Sequence, residues 1–207
     1  MTDTILYGFD ARKSAYVADP QWSELRRAQY LLRPEISRPF SVDPHVWGRA
    51  FITEPSKAFA PDYWTDLAAL RDLCTAKHLG EDSVTLVALA VRGNTDQVRA
   101  LFMPCTPSKI DLVWQSLGWD VADSGLISAL SNCGYSPEAA ETLGRVFGSK
   151  LNEHGLFNDL AAAELFCALS DERVAEHAPF FVHQILFIPL VVSGQAPPSC
   201  PPPNVAT

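Results

Sequence analysis

The sequence predicts an α+β protein, with a small, mostly antiparallel sheet and a helical segment packed on it. Its strongest strand signal is the nearly continuous apolar run Ser83–Val91, which is typical of a strand covered on both faces. After Thr106, apolar residues recur at the spacing of helices. A second strand-like run, Pro179–Ile188, follows and is expected to join the same sheet. We therefore predict one domain over residues 1–193, with a helix-rich acidic part at 106–178.

Before the first apolar strand, the sequence predicts short elements joined by a long connection. Residues 4–18 favour two short strands around a turn at Asp10–Ser14. Asp19-Pro20 then combines an N-cap with a first-turn proline, which predicts a helix. The proline-rich stretch 34–60 is predicted to be a connection, with one short strand near residues 46–52.

Two further elements are predicted around the Ser83–Val91 strand. Pro61 begins a helix whose apolar residues keep helical spacing, and Gly80 is its predicted end. After the strand, Gly93-Asn94 supplies a turn, and Val98–Met103 is predicted to return antiparallel to it.

The second half of the chain is predicted to hold four helices. Their expected start signals are Thr106-Pro107, Asp123, Ser136-Pro137 and Asn158. Gly118 and Gly134 are the expected ends of the first two helices. The third has the clearest amphipathic pattern, with Glu141 and Arg145 as an exposed i, i+4 pair. The residues predicted to face inward from the third and fourth helices are Ala139, Ala140, Leu143, Val146, Phe147, Ala162, Leu165, Phe166 and Leu169.

Charge is distributed unevenly along the 207 residues, whose formal net charge is -8. Residues 117–176 carry ten acidic side chains against Arg145, Lys150 and Arg173, and no charged residue follows His177. Such a field repels nucleic acid and anionic membranes and favours a basic partner. We therefore predict neither a nucleic-acid nor a membrane partner. The alternative interpretation is that these charges are the solvated faces of ordinary helices.

Cysteine usage and the chain ends predict the compartment. Five scattered cysteines without a Cys-x-x-Cys pair indicate a reducing environment. The N-terminal residues lack a signal-peptide pattern, and the apolar run Ala178–Val192 is too short and too interrupted to cross a bilayer. We therefore expect a cytoplasmic protein. Residues 194–207 are rich in proline and uncharged, which predicts a flexible tail.

Motifs for catalysis, cofactors and metals are missing from the sequence. It has no phosphate-binding glycine loop, no Gly-x-Ser-x-Gly elbow and no His-Glu-x-x-His motif. His177 and His183 would share one face of a strand, but zinc needs three or four ligands, and His183 is expected to be a core histidine. We assign no catalytic residue, no cofactor and no metal.

Two alternatives to a binding protein remain open at this point. Cys133, between a predicted helix end and a turn, could be the nucleophile of a small thiol-dependent hydrolase with His154 or His177 as its base. The other alternative is a structural subunit of a larger assembly, which would dock through the proline-rich tail at 194–207.

Three stretches in the second half of the chain are distinctive: Leu117–Tyr135, Leu151–Phe157 and Glu176–Phe181. They resemble small bacterial immunity proteins, which are encoded beside polymorphic or secretion-delivered toxins. The resemblance implies a cytosolic protein that binds one cognate toxin tightly and blocks its active site or its access to substrate. Neither a fold nor functional residues are carried over from that family.

The acidic segment also predicts where a partner binds. A basic toxin would be attracted by the carboxylates, while tight affinity requires a desolvated anchor. We expect Trp119 or Tyr135 to be that anchor, beside Asp120 and Asp123. The complete set of predicted partner-binding residues is Trp119, Asp120, Asp123, Tyr135, Glu138, Glu153 and Asp159.

Overall fold

The computed structural model describes residues 3–13, 40–43, 63–80, 82–93, 95–102, 105–131 and 134–190. These residues contain the strands β1 (Asp3–Lys13), β2 (Val84–Gly93), β3 (Gln115–Asp123) and β4 (Phe180–Ile188). They also contain the helices α1 (Leu67–Ala76), α2 (Thr95–Leu101), α3 (Pro137–Phe147) and α4 (Leu160–Arg173), with a short 3₁₀ helix at Gly148–Lys150. The predicted α+β class is confirmed.

Some sequence predictions fall outside the described residues. They are the strand at 15–18, the helix after Asp19-Pro20, the short strand near 46–52, the helix start at Pro61, the exposure of Cys133, and the tail at 194–207.

The sheet is antiparallel throughout, with the strand order β1-β2-β4-β3. β2 and β4 lie in the centre, so each has a hydrogen-bonded neighbour on both sides. This position explains their apolar runs, because a central strand covered on both faces has no solvent side. The predicted pairing of the last strand with the first apolar strand is confirmed: Leu86 lies opposite Ile188, and Val91 lies opposite His183.

One face of the sheet, here called the helical face, is covered by α1, α3 and α4. Near β1, Leu70 of α1 packs with Leu86 and Leu186. Toward β3, α3 and α4 pack on Val121 and Val182. The two helices of the acidic segment are therefore anchored at the β3 end of the sheet.

The opposite face is apolar in its middle and polar at one margin. Ile185 of β4 packs there with Val98 of α2. The alternation of side chains along β1 and β3 places Asp10, Arg12 and Asp120 on this same face. All three are almost completely buried.

Both edge strands are paired with irregular segments. On β1, the N–H of Phe9 donates to the Trp64 carbonyl (2.8 Å), and the N–H of Trp64 donates to the Phe9 carbonyl (2.7 Å). On β3, Trp119 and Phe157 exchange two such bonds of 2.9 Å each. These bridges hold the chain before α1 and the chain before α4 against the sheet edges.

β1 continues without a break to Lys13. The turn predicted at Asp10–Ser14 is therefore wrong for residues 10–13, which belong to the strand. Asp10 lies opposite Val87 and Arg12 lies opposite Thr85. Polar residues in this stretch favour a turn when they are read alone. In the folded protein the Arg12 guanidinium lies 3.0 Å from the Asp10 carboxylate, and this pairing allows both charges to be buried within a strand.

The strand predicted at Val98–Met103 is also wrong, because Thr95–Leu101 forms α2. Val98 and Phe102 are buried while residues 99–101 are exposed, which is the i, i+4 pattern of a helix. Six residues are too short a stretch for apolar spacing to distinguish the two structures.

The helix predicted from Thr106 to Gly118 does not form, since residues 106–114 are irregular and β3 begins at Gln115. The N–H of Thr106 donates to the Thr65 carbonyl (2.7 Å), and its carbonyl accepts from the N–H of Leu67 (2.9 Å). These two bonds hold Thr106 extended beside the start of α1. The apolar residues after it therefore belong to a loop and a strand, despite their helical spacing.

Gly118 and Asp123 have different roles from those predicted. Gly118 lies inside β3 with a φ of 135°, and a Cβ there would lie 2.7 Å from Cβ of Leu156. Glycine is therefore required by the close approach of the chain before α4. The Asp123 carboxylate accepts from the N–H groups of Gly125 and Ile127 (2.9 Å each), which closes a turn instead of capping a helix.

The predicted third helix is confirmed as α3. The Ser136 hydroxyl caps it, Pro137 occupies its first turn, and Glu141 and Arg145 form the expected exposed pair at 3.7 Å. Val146 is an error of the prediction, because 51% of its surface is exposed. The sheet and α4 cover only one side of α3, and Val146 lies outside the stripe they cover.

The predicted fourth helix is confirmed as α4, with a different cap. The carboxylate of Asp159, not the side chain of Asn158, accepts from the N–H of Ala161 (2.9 Å). Phe166 faces inward as predicted, but Leu165 is 55% exposed and was wrongly placed in the core.

The helix predicted before Ser83 is confirmed as α1, with different ends. Asp66 caps it by accepting from the N–H groups of Ala68 and Ala69. Trp64 lies before the helix and pairs with β1 instead. The helix ends at Ala76, before the predicted end at Gly80, and His78 takes a positive φ of 53°.

Candidate functional site

Exposed carboxylates are concentrated on α3, on α4 and in the segments beside them. Seven of them, here called the acidic surface, are Glu138, Glu141, Glu153, Asp159, Glu164, Glu172 and Glu176. The exposed basic residues in the same part of the chain are Arg145, Lys150 and Arg173. The surface is therefore net negative, as the sequence predicts for this segment.

A dense aromatic core fixes the helices that carry this surface. The Phe166 ring of α4 lies 5.1 Å from the Phe147 ring of α3 and 5.3 Å from the Phe157 ring, measured between centroids. Edge-to-face and tilted aromatic pairs of this kind add to the free energy of hydrophobic burial. The helix pair is thus a rigid base for the charges on its outer side.

The loop between α3 and α4 is fastened to β3 by Asn152. Its side-chain amide donates to the Leu117 carbonyl (2.7 Å), and its side-chain oxygen accepts from the N–H groups of His154 and Leu156. Glu153 lies inside this closed turn and is exposed. An acidic side chain is therefore presented from a fixed backbone next to the edge of the sheet.

Four of the seven predicted partner-binding residues are accessible. Glu138 lies in the first turn of α3, Glu153 in the loop, and Asp159 at the start of α4, and all three are exposed. Trp119 of β3 is half-buried against the core under α3 and α4. All four belong to β3 or to the helices and loop packed beside it, with Glu138 near the end of α4, where Tyr135 contacts Ser170, and Asp159 at the start of α4.

Asp120, Asp123 and Tyr135 are not surface contacts, which corrects the predicted interface. Asp120 is completely buried, because strand alternation turns it inward. Asp123 is 7% exposed, and its carboxylate already contacts the N–H groups of its own turn and Nδ1 of His177. Tyr135 is 7% exposed, and its hydroxyl lies 2.8 Å from Oγ of Ser170 inside the helix pair.

Asp120 is instead the centre of a buried hydrogen-bond network. One carboxylate oxygen accepts from the Ser41 hydroxyl (2.6 Å) and the Val42 N–H (2.9 Å). The other accepts from the Ser128 hydroxyl and the Val121 N–H (2.8 Å each). Burial raises the pKa of Asp120, and these four donors lower it in part.

The same network connects β1 to β3 through residues 40–43. The Arg12 guanidinium donates to the Ser41 carbonyl (2.7 Å), and the Asp43 carboxylate accepts from the Ser128 N–H (3.1 Å). Burial lowers the pKa of Arg12, while the neighbouring Asp10 carboxylate raises it. Sequence reasoning missed this cluster, although the alternation of Asp10 and Arg12 about Ala11 is a signal of a strand with one polar face.

His183 is a core histidine, as predicted. It is fully buried, and the Tyr7 hydroxyl lies 3.0 Å from its Nδ1. Burial lowers the pKa of His183 to about 3 and raises that of Tyr7, so at neutral pH the tyrosine donates to an uncharged imidazole. Within the described ranges no group of three or more His, Cys, Asp or Glu residues is arranged for a metal ion.

His177 makes one contact of a kind that is also found in catalytic sites. Its Nδ1 lies 3.1 Å from the Asp123 carboxylate, and its side chain is 29% exposed. A carboxylate that orients a histidine is one half of a nucleophilic site. His154 is half-buried and contacts Phe40 ring to ring.

The described cysteines are poor nucleophiles. Burial raises the pKa of Cys105 to about 11 and that of Cys167 to about 12, and it also raises the pKa of Cys74. A thiol must ionise before it attacks a substrate, so these three stay unreactive at neutral pH.

No protein-family model, curated protein or solved structure matches the chain. Among the helices in the described part of the chain, none is long and apolar enough to cross a lipid bilayer.

The role of Asp120 can be tested with Asp120→Asn. The new amide nitrogen would face donors where an oxygen now accepts, so at least one buried backbone N–H would lose its partner. We expect the free energy of unfolding to fall by about 2 kcal/mol in urea titration. The matched control is Asp159→Asn, which removes the same charge from an exposed helix cap and should change stability by less than ~0.5 kcal/mol. Equal effects of the two substitutions would contradict the assignment.

The buried histidine predicts a pH dependence of stability. The folded protein keeps His183 neutral down to about pH 3, whereas an ordinary histidine has a pKa of 6.5. As the pH falls, His183 is therefore protonated first in the unfolded chain. Its contribution to the free energy of unfolding is complete above pH 6.5 and is lost as the pH falls toward 3. The limiting loss is ~5 kcal/mol. His183→Gln should flatten the unfolding free energy between these pH values, measured by urea titration.

Proposed function

We propose that this protein is a cytoplasmic immunity-type inhibitor, which binds a cognate basic protein toxin through the acidic surface. The observation that carries the proposal is the concentration of exposed carboxylates on α3, α4 and their connecting loop. The resemblance of Leu117–Tyr135, Leu151–Phe157 and Glu176–Phe181 to immunity proteins points to the same class.

The rigidity of the acidic surface supports a role in binding. Its helices share an aromatic core, and its loop is fastened to β3 by Asn152. Groups that are already ordered lose little entropy on association, so more of the contact energy appears as affinity. A fixed array of carboxylates can therefore recognise a fixed array of lysines and arginines.

The exposure of the carboxylates defines what they contribute. Exposed ion pairs add little to affinity, but a field of one sign accelerates encounter with a partner of the opposite sign. A toxin whose active site binds nucleic acid or nucleotide phosphates is basic at that site. An inhibitor that approaches through its carboxylates would cover such a site and exclude the substrate.

The corrected interface consists of Trp119, Glu138, Glu153 and Asp159. Trp119 is retained as the anchor because it is half-buried at the sheet edge, next to the loop that presents Glu153. Asp120 and Tyr135 support the interface from inside, since they hold β3 and the helix pair in place.

The proposal can be tested by neutralising charges in matched pairs. The tagged protein is used to capture partners from its native cells, and the captured protein is then purified. Glu138→Gln with Glu153→Gln should lower the association rate constant about 3- to 10-fold at low salt, and the effect should shrink as salt is added. Inhibition of the partner's activity should weaken in parallel.

The control for this experiment is Asp72→Asn with Asp82→Asn, which removes the same charge from exposed positions outside the acidic surface. Its association rate should be close to that of the wild type. The proposal fails if no partner is captured at low or moderate salt, if the partner is acidic, or if both double variants slow association equally.

A second candidate function, a thiol-dependent hydrolase, is favoured by the contact between Asp123 and His177. Cys133 lies outside the described residues, but its chain neighbour Gly134 does not. A Cβ added to Gly134 would lie 3.0 Å from Oε1 of Glu176, the residue before His177. The chain thus passes close to the Asp–His pair one residue after the cysteine.

This alternative makes a prediction about the reactivity of Cys133. An activated thiolate should react with iodoacetamide at pH 6–7 at least tenfold faster than an ordinary thiol, whose pKa is about 8.5. His177→Asn should reduce the rate to that of an ordinary thiol, while His154→Asn should leave it unchanged. Peptide mass spectrometry over a pH series measures the rate at this cysteine. An unshifted profile in the wild type would exclude the hydrolase.

A further inference from the structure

Residues 40–43 lie on the sheet face opposite the helices and contact the loop that presents Glu153. The N–H of Phe40 donates to the His154 carbonyl (2.6 Å), and the Phe40 ring lies 5.0 Å from the His154 ring, measured between centroids. His154 directly follows Glu153 in the chain. The segment therefore holds the loop through both a backbone bond and a side chain.

The contact from Phe40 differs in kind from the bonds made by Asn152. The Asn152 side chain accepts from the N–H groups of His154 and Leu156, which closes the turn, and its amide ties the turn to β3. The bond from Phe40 instead comes from a segment distant in the sequence. The position of the turn, and of the Glu153 side chain in it, therefore depends on where residues 40–43 are held.

Buried groups of β1 and β3 hold residues 40–43 in place. The Asp120 carboxylate accepts from the Ser41 hydroxyl (2.6 Å) and from the Val42 N–H (2.9 Å). The Arg12 guanidinium donates to the Ser41 carbonyl (2.7 Å). Ser41 thus contacts both strands and precedes no exposed element of its own, while the residue before it contacts the Glu153 loop.

We propose that residues 40–43 position Glu153 for the partner, with Ser41 as the positioning residue that connects the buried network to the loop. The inference rests on the proposed function and deepens it. A loop that is already ordered loses less entropy when a partner binds, so a loosened loop should weaken the complex. The exposed carboxylates that steer encounter are unchanged, so the association rate should be kept while the dissociation rate rises.

Two serines of the network provide matched variants. Ser41→Ala and Ser128→Ala each remove a hydroxyl that donates to Asp120 and accepts from the N–H two residues further along the chain. Both serines are almost completely buried. Only Ser41 belongs to the segment that contacts His154. A difference between the two variants therefore reports where the hydroxyl lies, and not merely the loss of a buried hydrogen bond.

Amide hydrogen exchange of the full-length protein, followed by NMR, tests the connection without a partner. The His154 and Leu156 N–H groups should exchange about fivefold faster in Ser41→Ala than in Ser128→Ala, because the loop opens locally. Amides of the central strand β2, such as that of Leu89, report global unfolding and should exchange equally in the two variants. Equal exchange of the loop amides would refute the inference.

Phe40→Leu is the second variant, for use if Ser41→Ala does not fold. Phe40 is half-buried, and this change removes the ring contact with His154 while the backbone N–H and the bonds to Asp120 remain. The loop amides should exchange about twofold faster than in the wild type. Loop amides that exchange at the wild-type rate would refute a role for the ring.

Binding to the purified natural partner tests the positioning role itself. Ser41→Ala should raise the dissociation rate constant about threefold at an unchanged association rate constant, whereas Ser128→Ala should change neither. A partner that dissociates equally from wild type and Ser41→Ala would refute the positioning role and leave the proposed function standing. The absence of any basic partner would refute the proposed function, and with it the positioning role, whatever the exchange experiment shows.

Discussion

The carboxylate of Asp120 is the contact on which the arrangement of the described chain depends. It accepts hydrogen bonds from residues 41–42, from Ser128 and from its own neighbour in β3, so one buried group joins segments that are distant in the sequence. Leaving any of these donors unpaired in the interior would cost ~1–3 kcal/mol. The strand, the turn after it and residues 40–43 are therefore fixed as a unit.

That constraint also decides which residues of β3 can meet another molecule. Because side chains alternate along a strand, the inward position of Asp120 turns Trp119 and Val121 toward α3 and α4. The acidic character of the segment is thus divided between two tasks. Its strand carboxylates organise the interior, and its helix and loop carboxylates form the outer surface.

The elements that sequence reasoning identified are those with strong local signals. The central strands β2 and β4 have long apolar runs, and α3 has both a serine cap and a proline in its first turn. The stretch 106–123 was misread because Ile110, Val113 and Trp114 have helical spacing by coincidence. The interactions that keep this stretch extended come from α1 and from β4, and no local pattern contains them. Glu138, Glu153 and Asp159 were placed correctly on the surface, while Asp120 and Tyr135 were not. Charge and composition do not reveal which polar side chains form hydrogen bonds inside the core.

The bridges at the two sheet edges have a consequence for how such a protein can diversify. At Phe9 and at Trp119 the outward backbone groups are already satisfied by Trp64 and Phe157. A foreign strand would have to displace these bonds before it could extend the sheet there. Substitutions of exposed side chains on the helices leave these backbone bonds untouched. The outer surface of the helices can therefore vary while the sheet and its edges stay the same.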